Sequence, residues 1–175
     1  MSSTKVSKES QPSEVSRRNF MASAGAALAL PVFVSEGLVI PQKKKLKLIA
    51  QVEASCSGFN EAAALANTTQ LESLVADEAI FIDFDGKVRN REQIIAYSSE
   101  MGNKGLLNNV VMGEASVHIV SLDTAIMPVK MTATGLDVEG RSITGTYNLV
   151  HFFVKRNTIW QVVAIHMIKL SDRVA

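Results

Sequence analysis

Residues 67–90 read N-T-T-Q-L-E-S-L-V-A-D-E-A-I-F-I-D-F-D-G-K-V-R-N. Asn67 with Gln70 three positions later is a capping-box-like start for a short helix carrying Leu71, Leu74 and Val75. Residues 79–84 then form a hydrophobic strand, and Asp85-Gly86 is a tight-turn signal. Asn90 with Gln93 repeats the capping pattern and opens a further helix with Ile94, Tyr97 and Met101 on one face. One carboxylate, Asp83, ends the strand among Ile80, Phe81, Ile82 and Phe84. It is either the chemistry of the protein or a strand-end charge in water.

Upstream, Ile49, Val52, Cys56, Phe59 and Ala63 fall at helical spacing between Leu46 and about Ala66 and predict a first helix facing a core. Cys56 on that stripe reads as an inert buried thiol. Downstream of a break at Gly102 and Gly105 the chain is rich in Val, Ile, Thr and Tyr, and strands are expected at about 108–121, 124–136, 141–156 and 159–170. The turns between them are short, so consecutive strands pair antiparallel. With Asn157-Thr158 as the last turn, Arg156 faces Ile159. Strict alternation then places Tyr147, Leu149, His151, Phe153, Trp160, Val162, Ala164 and His166 on one face. Asn148, Val150, Phe152, Val154, Gln161, Val163, Ile165 and Met167 take the other. Both faces are largely apolar, so each needs a cover: the helices on one side and a second subunit on the other.

The start of the chain has a different character. Residues 1–15 are polar; Arg17-Arg18-Asn19-Phe20 then precedes a mild apolar run ending near Pro31 and Val34. A positive region followed by a moderately apolar one describes an export signal, and the paired arginines before Phe20 resemble the twin-arginine type. A short buried helix after a polar arm is the alternative reading; Gly25, Pro31 and the placement of the arginine pair stand against it. Residues 1–40 are therefore assigned to signal and linker and 43–175 to one domain of about 130 residues, within the usual single-domain range.

Composition narrows the function. A net charge of +1 gives no basic stripe for nucleic acid. A stretch of roughly 18 apolar residues, enough for a transmembrane anchor in the mature form, is not found. A single cysteine excludes an internal disulfide. His151 and His166 come out diagonal on one face, about 7 Å apart in an ideal ladder, but no third ligand stands beside them, so two packed histidines are the better reading and no metal or other cofactor is expected.

The A-D-E-A-I-F-I-D-F-D-G segment, the N-R-E-Q-I-I-A-Y helix and the closing V-K-R-N-T-I-W-Q-V-V hairpin resemble the nuclear transport factor 2-like superfamily, which includes ketosteroid isomerases and SnoaL-like cyclases. The resemblance spans residues 46–170 and is closest to small stand-alone domains without an assigned function. It implies an α+β fold: a cone-shaped curved antiparallel sheet with three N-terminal helices packed on its concave face. It places Asp83 where the isomerases carry a general-base aspartate. Phe59 falls where they carry an oxyanion-donating tyrosine, Phe152 near their second donor, and Tyr97 at a pocket-lining aromatic. Losing even one such donor typically costs about 10²–10³ in rate, which sets the base apart from its partners.

The expected pocket, between helices and sheet, is lined by Phe59, Tyr97, Met101, Asn148, Val150, Phe152, Val163, Ile165 and Met167. Trp160, His151 and His166 are expected on the outer, dimer-forming face. Three functions follow. The first is a periplasmic or otherwise exported homodimer binding a small apolar or amphipathic molecule. The second is an isomerase- or cyclase-type enzyme with Asp83 as catalytic base on a carbonyl substrate and Tyr97 or Asn148 orienting it. The third is a domain that serves assembly only.

Export through the twin-arginine machinery makes a direct prediction. Changing Arg17 and Arg18 together to Lys keeps the charge of the region and should abolish appearance of the protein in the periplasm. Unchanged export of the double variant would remove the assignment.

Overall fold

The computed structural model describes residues 40–171. Arg17, Arg18 and Phe20, and with them the whole export signal, lie outside the described residues. None of the described helices is long and apolar enough to cross a membrane.

Helix α1 runs Gln42–Ala64 and buries Leu48, Val52, Cys56, Phe59, Ala62 and Ala63, a stripe of three- and four-residue steps. Helix α2, Thr68–Leu74, starts where the Asn67 side chain accepts the Gln70 amide. Helix α3, Arg91–Asn103, opens on a full capping box: Asn90 accepts from the Gln93 amide, and the Gln93 side chain accepts from the Asn90 amide. Near its end Gly102 touches α1, and a Cβ there would lie 2.0 Å from the Ala63 carbonyl oxygen, so glycine is what permits this helix crossing.

The strands are β1 (Val75–Ile82), β2 (Val88–Arg89), β3 (Val110–Ala115), β4 (His118–Ile119), β5 (Thr124–Ala133), β6 (Gly145–Arg156) and β7 (Ile159–Ser171). They form one seven-stranded sheet in the order β2-β1-β7-β6-β5-β3, with β4 also pairing β5. The expected strand over 108–121 is divided: a 3-10 turn takes Leu106–Asn109, and β3 and β4 are separate pieces. The short-turn argument holds for β5, β6 and β7, which pair antiparallel. It does not reach β1, which lies parallel to β7 and makes the sheet mixed. Parallel neighbours need a long crossover, and here everything from β2 to β6 separates them.

The final hairpin starts in the expected register, Arg156 opposite Ile159 through Phe153 opposite Val162. The next pair is Phe152 with Ala164, so Val163 is an extra residue, a β-bulge. Beyond it the β7 side chains through Lys169 change face relative to strict alternation, until a second register shift between Lys169 and Ser171. Ile165 now stands opposite His151, and Met167 opposite Leu149. A continuous row, Met127–His151–Ile165–Phe81, crosses β5, β6, β7 and β1, and all four residues are buried.

This reverses the face assignment on β6. The helix side carries Tyr147, Leu149, His151 and Phe153, all buried; Asn148, Val150 and Phe152 lie on the outward side. Trp160 and Val162, expected at an outer interface, are buried as well. The Trp160 indole N–H donates to Gln51 of α1 at 3.3 Å, and Ser55 of α1 donates to the Trp160 carbonyl. His166, opposite Val150, faces outward and is exposed, so the histidines expected on one face are on opposite ones. His118 lies exposed on β4. Among the described residues no group of His, Cys, Asp and Glu is arranged to hold a metal.

Candidate functional site

Between the helices and the concave side of the sheet lies a cavity of about 230 Å³. Helix α1 contributes Phe59, Asn60, Ala63 and Ala64, and α3 contributes Ile94, Tyr97, Ser98 and Met101. The sheet side is Phe81, Met112, Met131, Leu149, His151, Ile165 and Met167. Leu107, Val110 and Ile143 complete the wall. None of these residues carries a formal charge when the imidazole is neutral.

Of the residues expected to line a pocket, Phe59, Tyr97, Met101, Ile165 and Met167 are brought together here. Asn148, Val150 and Phe152 are not, because they lie on the outward face of β6; Val163 is absent because it is the bulged residue itself. Ile165 and Met167 reach the cavity because the bulge turns them inward. His151 was missed: with Ile165 and His166 assigned by unbroken alternation, it falls on the outer side.

His151 is only 1% exposed, and its ring stacks on Phe153 at 6.0 Å between centroids. Its Nδ1 has no hydrogen-bond partner. Burial pushes the imidazole down to about 4, with a smaller opposing influence from the Met127 backbone across the strand pair. The ring is therefore neutral at neutral pH. Burial also pushes the Cys56 thiol up to about 11, against a weaker contribution from Asn60, which keeps it protonated and inert.

Asp83 is placed differently from its sequence expectation. It is 3% exposed, yet it does not line the cavity. It follows β1 and closes a turn: its Oδ1 accepts the Asp85 and Lys87 amides, its own amide donates to the Lys87 carbonyl, and the Gly86 amide donates to its carbonyl. Asp137 builds the same turn 54 positions on (137 − 83). Its Oδ1 accepts the Glu139 and Arg141 amides, its amide donates to the Arg141 carbonyl, and the Gly140 amide donates to its carbonyl. The sequences D-F-D-G-K and D-V-E-G-R thus make twin loops, each with glycine in the left-handed region, at φ +84° and +77°.

The second oxygens of the two aspartates lock the loops together. Asp83 Oδ2 lies 2.5 Å from Arg89 Nη1 and 3.0 Å from Arg141 Nη2. Asp137 Oδ2 lies 2.7 Å from Arg141 Nη2, and Arg141 Nη1 reaches Asp85 at 2.5 Å. Glu139 takes Arg89 at 2.9 Å and Lys87 at 2.7 Å. Burial works against the Arg141 charge, but hydrogen bonds to Asp137, Asp85 and Asp83 outweigh it and hold the guanidinium well above its usual value. The Arg89 guanidinium lies 4.3 Å from the centroid of the Tyr97 ring and 5.5 Å from that of Phe81, the two aromatics that also wall the cavity. The Tyr97 hydroxyl reaches Asp137 at 3.5 Å. Burial, then the Asp137 charge, pushes that hydroxyl up to about 12, so it stays protonated.

A general base needs hydrogen-bond reach to its substrate. Both oxygens of Asp83 are already engaged, with backbone amides and with two arginines, and the aromatic walls intervene. The general-base assignment from sequence is corrected accordingly: Asp83 belongs to an ion-pair network behind the cavity.

No family model matches this chain, and no curated protein matches it. Solved structures do, at low identity. An NTF2-like protein from Cytophaga hutchinsonii is 18% identical over 75% of this chain and 100% of its own, with a TM-score of 0.56. An NTF2-like protein of unknown function in nutrient uptake from Rhodospirillum rubrum is 21% identical over 68% and 98%, TM-score 0.57. LinA is 16% identical over 76% and 93%, TM-score 0.57. The chain has the nuclear transport factor 2-like fold.

Two predictions test this geometry. Asp83→Asn leaves Arg89 buried with an amide against it, and breaking such a pair costs about 3–5 kcal/mol. A urea unfolding midpoint indistinguishable from the unchanged protein would refute the network's role. The second concerns His151. Its ordinary value of 6.5 falls to about 4 on folding, so between these pH values the unfolded chain binds the proton and the native one does not. Stability should fall as pH drops through that window, by about 2–3 kcal/mol between pH 7 and 4.5 from this group. His151→Gln should lose less over the same interval; equal losses in both proteins would contradict the assignment.

Proposed function

We propose that this domain is an exported binding module that holds a small, uncharged, apolar or amphipathic molecule in the cavity between helices and sheet. The observation that carries the reading is the cavity wall: apolar on every side, with Asn60, Tyr97, Ser98 and His151 as its polar members. Ligand sites are built in this way, mostly apolar with a few placed polar groups. The volume limits the occupant. A cavity of about 150 Å³ accepts benzene, so about 230 Å³ suits roughly ten non-hydrogen atoms.

Homodimerisation belongs to the same proposal, through the outward sheet face and not through Trp160, His151 and Val162. On that face Ile80, Phe152 and Ile168 are exposed, with Ile126, Pro128 and Val150 half-buried among them. Residues directly opposite one another in the ladder, such as Ile126, Phe152, Ala164 and Ile80, share this surface. A continuous apolar sheet face of this kind marks an interaction surface, and a second copy brings an identical face to cover it.

Native mass spectrometry of protein isolated from its own periplasm reads both features. The expected particle contains two copies and releases a small organic molecule on denaturation. Single copies at micromolar concentration would overturn the dimer. Particles that carry no added mass and take up no added p-xylene would overturn the binding function.

A further inference from the structure

The cavity wall contains one polar atom that the protein leaves without a partner. His151 Nδ1 is buried and makes no hydrogen bond. Buried polar atoms are otherwise satisfied in folded proteins, and leaving one bare costs free energy. The neighbours of the ring do not meet this need. Ile165 and Met127 flank it across the two adjoining strands, Phe153 stacks on it, and the wall around it is methionine, leucine and isoleucine. Among the described residues, the charged groups next to the Tyr97 and Phe81 rings, Arg89, Arg141, Asp83 and Asp137, are taken up in pairs with one another. The other polar members of the wall, Asn60, Tyr97 and Ser98, come from the helices, so His151 is the one polar point on the sheet side of the cavity.

We infer that His151 is the specificity-determining residue of the cavity and that the ligand class is a compact, uncharged, ring-sized molecule bearing one hydroxyl, whose hydroxyl hydrogen-bonds His151 Nδ1. This deepens the binding function proposed above and rests on it. A hydroxyl fits better than an amine or a carboxylate for two reasons. It both gives and takes a hydrogen bond, so it satisfies Nδ1 in either tautomer of the neutral imidazole. It also brings no charge into a wall that has no counter-charge, where burying an ion is costly. The part of the molecule that lies against the sheet must be apolar, since the methionines, leucine and isoleucine there offer nothing to another polar group. Met101, Met112, Met131 and Met167 give that part of the wall an adaptable surface, which suits rings of somewhat different outline.

The test uses two probes of nearly equal shape, p-cresol and p-xylene, which differ by a hydroxyl in place of a methyl. Binding of each to the unchanged protein is measured by titration calorimetry or by ligand-observed NMR. In an apolar cavity without a polar partner, p-xylene binds more tightly because it is the more hydrophobic. Here p-cresol is expected to bind at least as tightly as p-xylene. His151→Leu, of similar volume, should weaken p-cresol by about tenfold or more, the scale of one hydrogen bond to a buried group, while p-xylene changes little. His151→Gln, which keeps a hydrogen-bonding side chain, should preserve the p-cresol preference and serves if the Leu variant fails to fold. If the unchanged protein binds p-xylene clearly better than p-cresol, the inference about His151 is wrong while the binding cavity stands. Should neither probe bind, the inference about His151 falls, and if the isolated protein also carries no added mass the binding function falls with it.

Discussion

Side chains alternate faces along a strand, so one extra residue reverses every position beyond it. In this domain that residue is Val163. Before it, Trp160 and Val162 lie under the helices; after it, Ile165 and Met167 do. Without the bulge the even-numbered positions would continue inward, bringing His166 to the core and sending Ile165 and Met167 to solvent. The cavity owes its floor to this reversal, and so does the pairing of His151 with Ile165. It also defines the outer surface, where Ile168 joins Phe152 and Ile80 in one apolar field while His166 stands exposed among them.

The ion-pair network plays the complementary part at the edge of the cavity. Pairs of buried charges are weak evidence of stability, since desolvation offsets much of their attraction. Their value lies in placement. Each aspartate closes its own loop with one oxygen and holds Arg141 with the other, and Asp83 holds Arg89 as well, so the two loops are tied to each other. Arg89 is then held against Tyr97 and Phe81, and those rings separate charge from cavity. A carboxylate close to a cavity in sequence can thus be remote from it chemically.

What could be read from the chain alone follows the range of the physics involved. The caps at Asn67 and Asn90 and the turn at Asp85-Gly86 are local, and the structure has them. So is the Asn157-Thr158 turn, whose two residues both take positive φ, and the register next to it is as expected. The bulge was hidden because Val163 lies in a run of apolar residues, W-Q-V-V-A-I, in which either parity buries something suitable. That one ambiguity misplaced His151, Val150 and Phe152 together. The partners of Asp83 were hidden for another reason. Arg141 stands 56 positions from Asp85, and neither composition nor spacing announces that two similar turns will meet. Arg89 lay only six residues away, but a two-residue edge strand, β2, turns it back onto Asp83.

The position of β7 has a consequence for how the chain acquires its structure. It lies between β1 and β6, so the N-terminal helices and β1 have no sheet to rest on until this last described strand exists. A nascent chain ending before Ile159 would hold the helices, the β1–β2 hairpin and the β5–β6 hairpin as separate pieces with exposed apolar faces. Closure joins residues far apart in sequence, the kind of contact that forms slowly. Assembly of the core therefore waits for β7, the last described strand, to take its place between β1 and β6. Until then the unfinished chain offers unpaired strand edges and apolar surface, the features that make a partly folded species prone to aggregate.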